Sequence, residues 1–133
     1  MTTRLPLVQS AGQIGQLQAG DSITGALLVS RYTVVGTLAV ATGTPRWYPD
    51  RNITLTGIYF SLGTAPSGYS CLIDVLKNGA SIFSGTYPTC TTGNNLSTTV
   101  AVSTTMTTSD YLTVNITAVS GVEADMLICI QYQ

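Results

Sequence analysis

The sequence predicts an all-β fold, a single antiparallel β-sandwich behind an extended N-terminal arm, and three observations predict it. Asn78-Gly79 stands between the β-rich runs Ile73–Leu76 and Ser81–Phe83. Both central residues of a type I′ hairpin turn need positive φ, which Asn and Gly tolerate best. Tyr111 to Thr117 alternates strictly, with Leu112, Val114 and Ile116 on one face and Thr113, Asn115 and Thr117 on the other. Further short runs of this kind recur between turn residues at regular spacing, and no helical periodicity survives beyond the arm.

Taken in order, residues 1–30 form the arm and 31–133 the sandwich. The arm alternates Gln9, Gln13, Gln16 and Gln18 with small residues, and Gly12 and Gly15 argue against a helix there. It is expected to be extended, with one or two short strands. Its apolar residues Leu5, Leu7, Ile14, Leu17, Ile23 and Leu27 are candidates for contact with a shell or a sister subunit. Ala26 to Val40 holds one or two strands, with Gly36 marking a bulge or a close backbone approach. Thr42 to Arg51 is a loop with the only tryptophan and two of the five basic residues. There Trp47 either anchors an interface or caps the core.

Ile53 to Phe60 is a strand, expected to place Ile53, Leu55 and Tyr59 on one face. Leu62 to Ser70 is a loop. Cys71 to Lys77 and Ser81 to Gly85 are the hairpin strands, and Thr86 to Asn95 is another loop. Leu96 to Thr104 is expected to align Leu96, Thr98, Val100 and Val102. The last strand carries Met126, Ile128, Ile130 and Tyr132 on one side, and Leu127 and Cys129 on the other. Apolar on both sides, it is either a central strand or a subunit contact.

Composition narrows the function. Charged residues are 8% of the 133-residue chain and the net charge is -1, so self-repulsion between copies is weak. Threonine covers roughly one position in six, far above ordinary usage. Arg4, Arg31, Arg46, Arg51 and Lys77 form no run, and nucleic-acid binding needs a basic stripe. No apolar run reaches the length of a membrane helix. Neither nucleic acid nor membrane is therefore an expected partner.

Catalysis is not expected either. The chain has no histidine, the commonest general base. It also lacks a G-x-S-x-G elbow and a phosphate-binding glycine loop. Glu123 and Asp125 are close enough to share a calcium with a carbonyl, but nothing else has ligand spacing, so neither metal nor cofactor is expected. Asp74 is either a carboxylate held by turn amides or simply solvent-facing. Cys71, Cys90 and Cys129 are odd in number and contain no CxxC, which argues against a disulfide framework and for a reducing cytoplasm; Cys71 and Cys129, in predicted strands, read as buried thiols. The opening Met1-Thr2-Thr3-Arg4-Leu5-Pro6 is unlike a signal peptide.

Three stretches resemble a module of tailed-bacteriophage structural proteins. They are Ile53-Thr54-Leu55-Thr56-Gly57, the hairpin Leu72 to Gly79 with Ser81-Ile82-Phe83, and Ser109 to Ile116. Leu17 to Ile23 is similar to the join near the start of phage head and tail accessory proteins. Where that family often has Gly before the Asp of the late strand, this chain has Ser109.

The resemblance implies a jelly-roll-like virion component without enzymatic residues. It would be a homotrimer made in the bacterial cytoplasm and bound to the major capsid protein or other virion proteins. The first expectation is a capsid decoration (cement) protein on the outer shell, with Met126, Ile128, Ile130 and Tyr132 as the trimer contact. The alternative is a tail-fibre or receptor-binding tip. Its loops 42–51, 61–70 and 86–95 would touch host glycans through Arg46, Trp47, Tyr48, Tyr69 and Tyr87. A glycan-degrading jelly roll is disfavoured, because the acids are scattered and no carboxylate pair is evident.

Overall fold

The computed structural model describes residues 7–10, 13–16 and 27–133. A hairpin of β1 (Leu7–Ser10) and β2 (Gln13–Gln16) pairs Leu7 with Gln16 and Gln9 with Ile14. Leu5, Leu17 and Ile23 lie outside the described residues. The remaining elements are β3 (Leu28–Thr37), β4 (Ile53–Thr64), β5 (Cys71–Lys77), β6 (Ala80–Ser81), β7 (Thr89–Cys90), β8 (Val100–Met106), β9 (Leu112–Ala118) and β10 (Ala124–Tyr132). No helix occurs among the described residues.

Two four-stranded antiparallel sheets make the sandwich. One has the order β3-β10-β4-β8; in the other, β9 pairs with one edge of β5 while β6 and β7 share the opposite edge. Phe60, Leu55, Ile58, Ile73, Leu112 and Met126 are completely or almost completely buried between them. Burying side chains of this size contributes roughly 1.5–3 kcal/mol each.

The hairpin forms as its turn chemistry requires. Asn78 has φ +50° and Gly79 φ +88°, the positive pair of a type I′ turn. Asn78 also holds a second turn. Its Nδ2 donates to Asp110 Oδ1 at 2.6 Å, and its Oδ1 accepts from the Tyr111 amide at 3.0 Å. The return strand is shorter than expected: β6 ends at Ser81, and Phe83 turns into the core. Asp74 is half-buried and accepts from the Ser81 hydroxyl at 2.6 Å, so a side chain, not turn amides, holds it.

Bulges explain where simple alternation fails. On β4 the register shifts around Thr56, so Ile58, Phe60 and Leu62 face the core and Tyr59 faces outward. Tyr59 therefore does not share the face of Ile53 and Leu55. An extra residue flips every side chain beyond it. β4 also runs on to Thr64, through the start of the expected loop. Ahead of β8, Leu96 is exposed and Ser97 is buried, its hydroxyl accepting from the Phe60 amide at 2.8 Å. The predicted row of Leu96, Thr98, Val100 and Val102 thus begins only at Val100. On β3, Val35 and Gly36 together oppose Asp125, whose Oδ1 accepts from the Gly36 amide at 2.8 Å. Gly36 marks a bulge, as its sequence context predicts.

β10 is a central strand, hydrogen-bonded to β3 on one side and β4 on the other. Met126, Ile128 and Ile130 are buried in the molecule's own core. Their assignment to a trimer contact is therefore wrong: a side chain already enclosed between its own sheets has no surface to offer a neighbour. Tyr132 is half-buried and packs against Trp47, with ring centroids 6.0 Å apart.

Candidate docking edge

Among the described residues, one lateral side of the sandwich carries no covering strand: none pairs with the free edge of β3. The facing margin is the segment Ala41–Trp47, which lies along β9 through bridges from Ala41 to Ile116 and from Trp47 to Leu112. The Trp47 and Leu112 amides each donate to the other's carbonyl, at 3.0 and 2.9 Å. Gly43 makes this approach possible. A Cβ there would sit 1.9 Å from the Val114 carbonyl oxygen, and the Gly43 amide donates to Asn115 Oδ1 at 3.1 Å. A side chain at this position would push the segment off β9.

Two neighbouring cavities, of about 140 and 200 Å³, run between these margins. Tyr32, Gly43, Pro45 and Val114 line both, so they form one groove. Trp47 and Ile130 line one end, Val34 and Ile128 the other. Arg31 and Arg46 are the charged residues of the lining, and no carboxylate belongs to it. Outside the groove, Val35 on β3 (82%), Leu27 just before it (56%) and Val40 in the link from β3 to Ala41 (65%) are exposed. A bare apolar strand edge is a template for pairing with another chain. The bulge at Val35–Gly36 interrupts that edge, a known means of limiting unwanted pairing.

At one end of the groove the Arg46 guanidinium lies 4.3 Å from the centroid of the Tyr111 ring. Tyr48 meets Tyr111 at 5.8 Å between centroids. Arg46 and Tyr48 are exposed. Trp47 is half-buried against the core, so it caps the sandwich and contributes to the groove wall at once.

The three loops expected at a single glycan-binding tip are not together. Trp47 neighbours Leu112, which pairs with Lys77 at the far end of β5. The Gly93 amide donates to the Pro66 carbonyl, and Cys90 pairs with Cys71 at the near end of β5. Seven residues of strand, on the order of 20 Å, separate the two ends. Tyr69 is exposed. Tyr87 is not a free contact: it is half-buried, its ring edge-on to Phe83 at 5.7 Å. Of the arm candidates, Leu27 is exposed on the edge; Leu7 and Ile14 lie on β1 and β2.

A buried carboxylate fixes the far side of this edge. Glu123 is fully enclosed. Its Oε1 accepts from the Ser120 amide and hydroxyl at 2.7 and 2.8 Å, and its Oε2 from the amides of Gly121 and Val122 at 2.9 and 3.2 Å. Its carbonyl accepts from the Leu38 amide just beyond β3, at 2.8 Å. Burial pushes the carboxyl up, but these donors outweigh burial and hold it below its ordinary value. With both oxygens so engaged, and Asp125 bonded to Gly36, the pair is not arranged to share a calcium.

The carboxylate of Asp110 is held at about 2, chiefly by the Thr107 amide and by Asn78. Both acids have folded values below their unfolded ones, so their stabilisation is present above the unfolded values, 3.8 for Asp110 and 4.5 for Glu123. It is lost as the pH falls through the folded values. Urea midpoints should be flat above roughly pH 5 and drop progressively toward pH 2. Asp110→Asn should flatten the lowest part of that profile. A midpoint that rises on acidification would contradict the assignment.

No protein-family model matches this chain, and no curated protein is significantly similar to it.

Proposed function

We propose that the chain is a virion structural protein, a decoration protein that binds the outer surface of a bacteriophage capsid as a homotrimer and stabilises the shell. The observation that carries the reading is the open β3 edge and its groove, apolar and exposed in a chain whose net charge is -1. In sequence the arm leads directly into β3, that edge strand, which begins at Leu28. Being contiguous in sequence, the arm and the edge strand would both be available to the major capsid protein in this reading. Binding only to the assembled shell stabilises the shell by mass action. The resemblance of the hairpin and late-strand motifs to phage modules supports the same reading.

The test compares particles carrying the protein with particles stripped of it. The decorated particles should retain their genomes to higher temperature and through osmotic shock. Equal fragility of the two would overturn the cement role.

The exposed Arg46 and Tyr48, gathered on the half-buried Tyr111 ring, favour a second reading, a tail tip that stacks host sugars. Copy number separates the two. Hundreds per particle fit a shell and about a dozen fit a tail, following the symmetry of each.

A further inference from the structure

The three thiols are not equivalent. Cys71 on β5 and Cys90 on β7 are direct partners in the antiparallel register, while Cys129 lies on β10 in the opposite sheet. Cys71 and Cys90 are both completely buried and, as opposed residues, share the core face of their sheet. Opposed residues of an antiparallel ladder have Cα atoms roughly 4.5–5.5 Å apart. That is inside the span of about 4.4–6.8 Å that disulfides bridge. Both are free thiols here, and the Cys90 Sγ donates to the Asn94 carbonyl at 2.9 Å.

We propose that Cys71 and Cys90 are an oxidative modification site, a preformed dithiol that a low-molecular-weight disulfide closes into an intramolecular bond. The bond ties β7 and the following turn to β5. β7 is only two residues long, and the Thr91–Asn95 turn after it is exposed. Opening this short element is the route by which the reagent reaches sulfur. Burial is the main cause that pushes the Cys71 thiol up to about 12, with the Glu123 carboxylate adding to it, and Cys90 is raised for the same reasons. Exchange is therefore slow in the closed form and proceeds through the opened one.

The step balances. The Cys90 thiolate attacks one sulfur of glutathione disulfide, the S–S bond breaks, and one glutathione leaves as its thiolate. The Cys71 thiolate then attacks the Cys90 sulfur of the mixed disulfide and expels the second glutathione. The two protein thiols lose two electrons and two protons, and the glutathione disulfide gains them.

The test incubates the reduced, purified chain with oxidised glutathione at mildly alkaline pH, with and without sub-denaturing urea. The expected product is lighter by two hydrogens and carries no glutathione. Digestion should yield a peptide linking Cys71 to Cys90, with Cys129 still open to alkylation. The oxidised chain should also unfold at higher urea than the reduced one, because the link restricts the unfolded chain. Cys129→Ser should behave like the parent. Cys71→Ala should stop at a glutathione adduct on Cys90; should it not fold, Cys129→Ser carries the comparison alone. Persistent glutathione adducts on the parent chain, a link through Cys129, or full alkylation of Cys71 and Cys90 after incubation in the urea arm would each overturn the proposal.

Discussion

Glu123→Ala is expected to destabilise the protein by about 3 kcal/mol, the cost of leaving several buried donors without the charged acceptor that satisfies them. The Ser120, Gly121 and Val122 amides all converge on this one side chain. Gly121 holds the turn at φ +90°, a conformation glycine adopts without strain. Removing the carboxylate orphans the amides and frees the turn. It also loosens the strand start whose carbonyl binds Leu38, and so reaches the β3 margin. In urea the midpoint should fall by roughly 1–2 M, given ordinary slopes for a domain of this size. Val122→Ala, an exposed position one residue away, should leave the midpoint within the ~0.5 kcal/mol scatter of surface changes. Equal midpoints for Glu123→Ala and the parent would show that the carboxylate does not organise the turn.

This carboxylate shows what the sequence leaves hidden. Ser120-Gly121-Val122-Glu123 is legible as a turn, because Gly and the small polar residue punctuate two apolar runs. That Glu123 points inward to serve the turn's own amides depends on the sheet covering it, which is a tertiary property. The cysteines are a similar case. An odd count without CxxC conceals the Cys71–Cys90 opposition, because register between distant strands is not a sequence pattern. Strand identity was readable wherever alternation was strict, as in Leu112, Val114 and Ile116. It failed at Tyr59 and Leu96, where a bulge or a buried serine breaks the period.

The same limit explains the misassigned contact. Met126, Ile128 and Ile130 are apolar enough for an interface, but a strand apolar on both faces is also what a central strand looks like, and β10 is central. The open edge carries a weaker signal. Val35 is the second of a valine pair within β3, and Val40 follows the strand in the link to Ala41. Only the pairing of β10 with β3, and of Ala41–Trp47 with β9, leaves them on a free margin. Trp47 and Arg46 were legible as candidates from their rarity in the chain, and the structure places both on the groove.

Substituting Val35→Lys together with Val40→Lys tests the docking edge itself. Both side chains are exposed, so the fold has no buried contact to lose, and two ammonium groups would have to be desolvated for the edge to dock. Affinity for stripped capsids should fall at least tenfold, which is about 1.4 kcal/mol. Leu96→Lys, also exposed but bridged to Ser61 of β4 on the side of the sheet away from β3, should bind as the parent does. The decisive measurement is rebinding of these purified chains to stripped particles, read by co-sedimentation and by the temperature at which the particles release their genomes. Parent and Leu96→Lys should sediment with the shells and restore their heat resistance, while the double lysine variant stays in the supernatant. Full rebinding by the double variant, or failure of the parent chain to bind any shell, would contradict docking through the β3 edge.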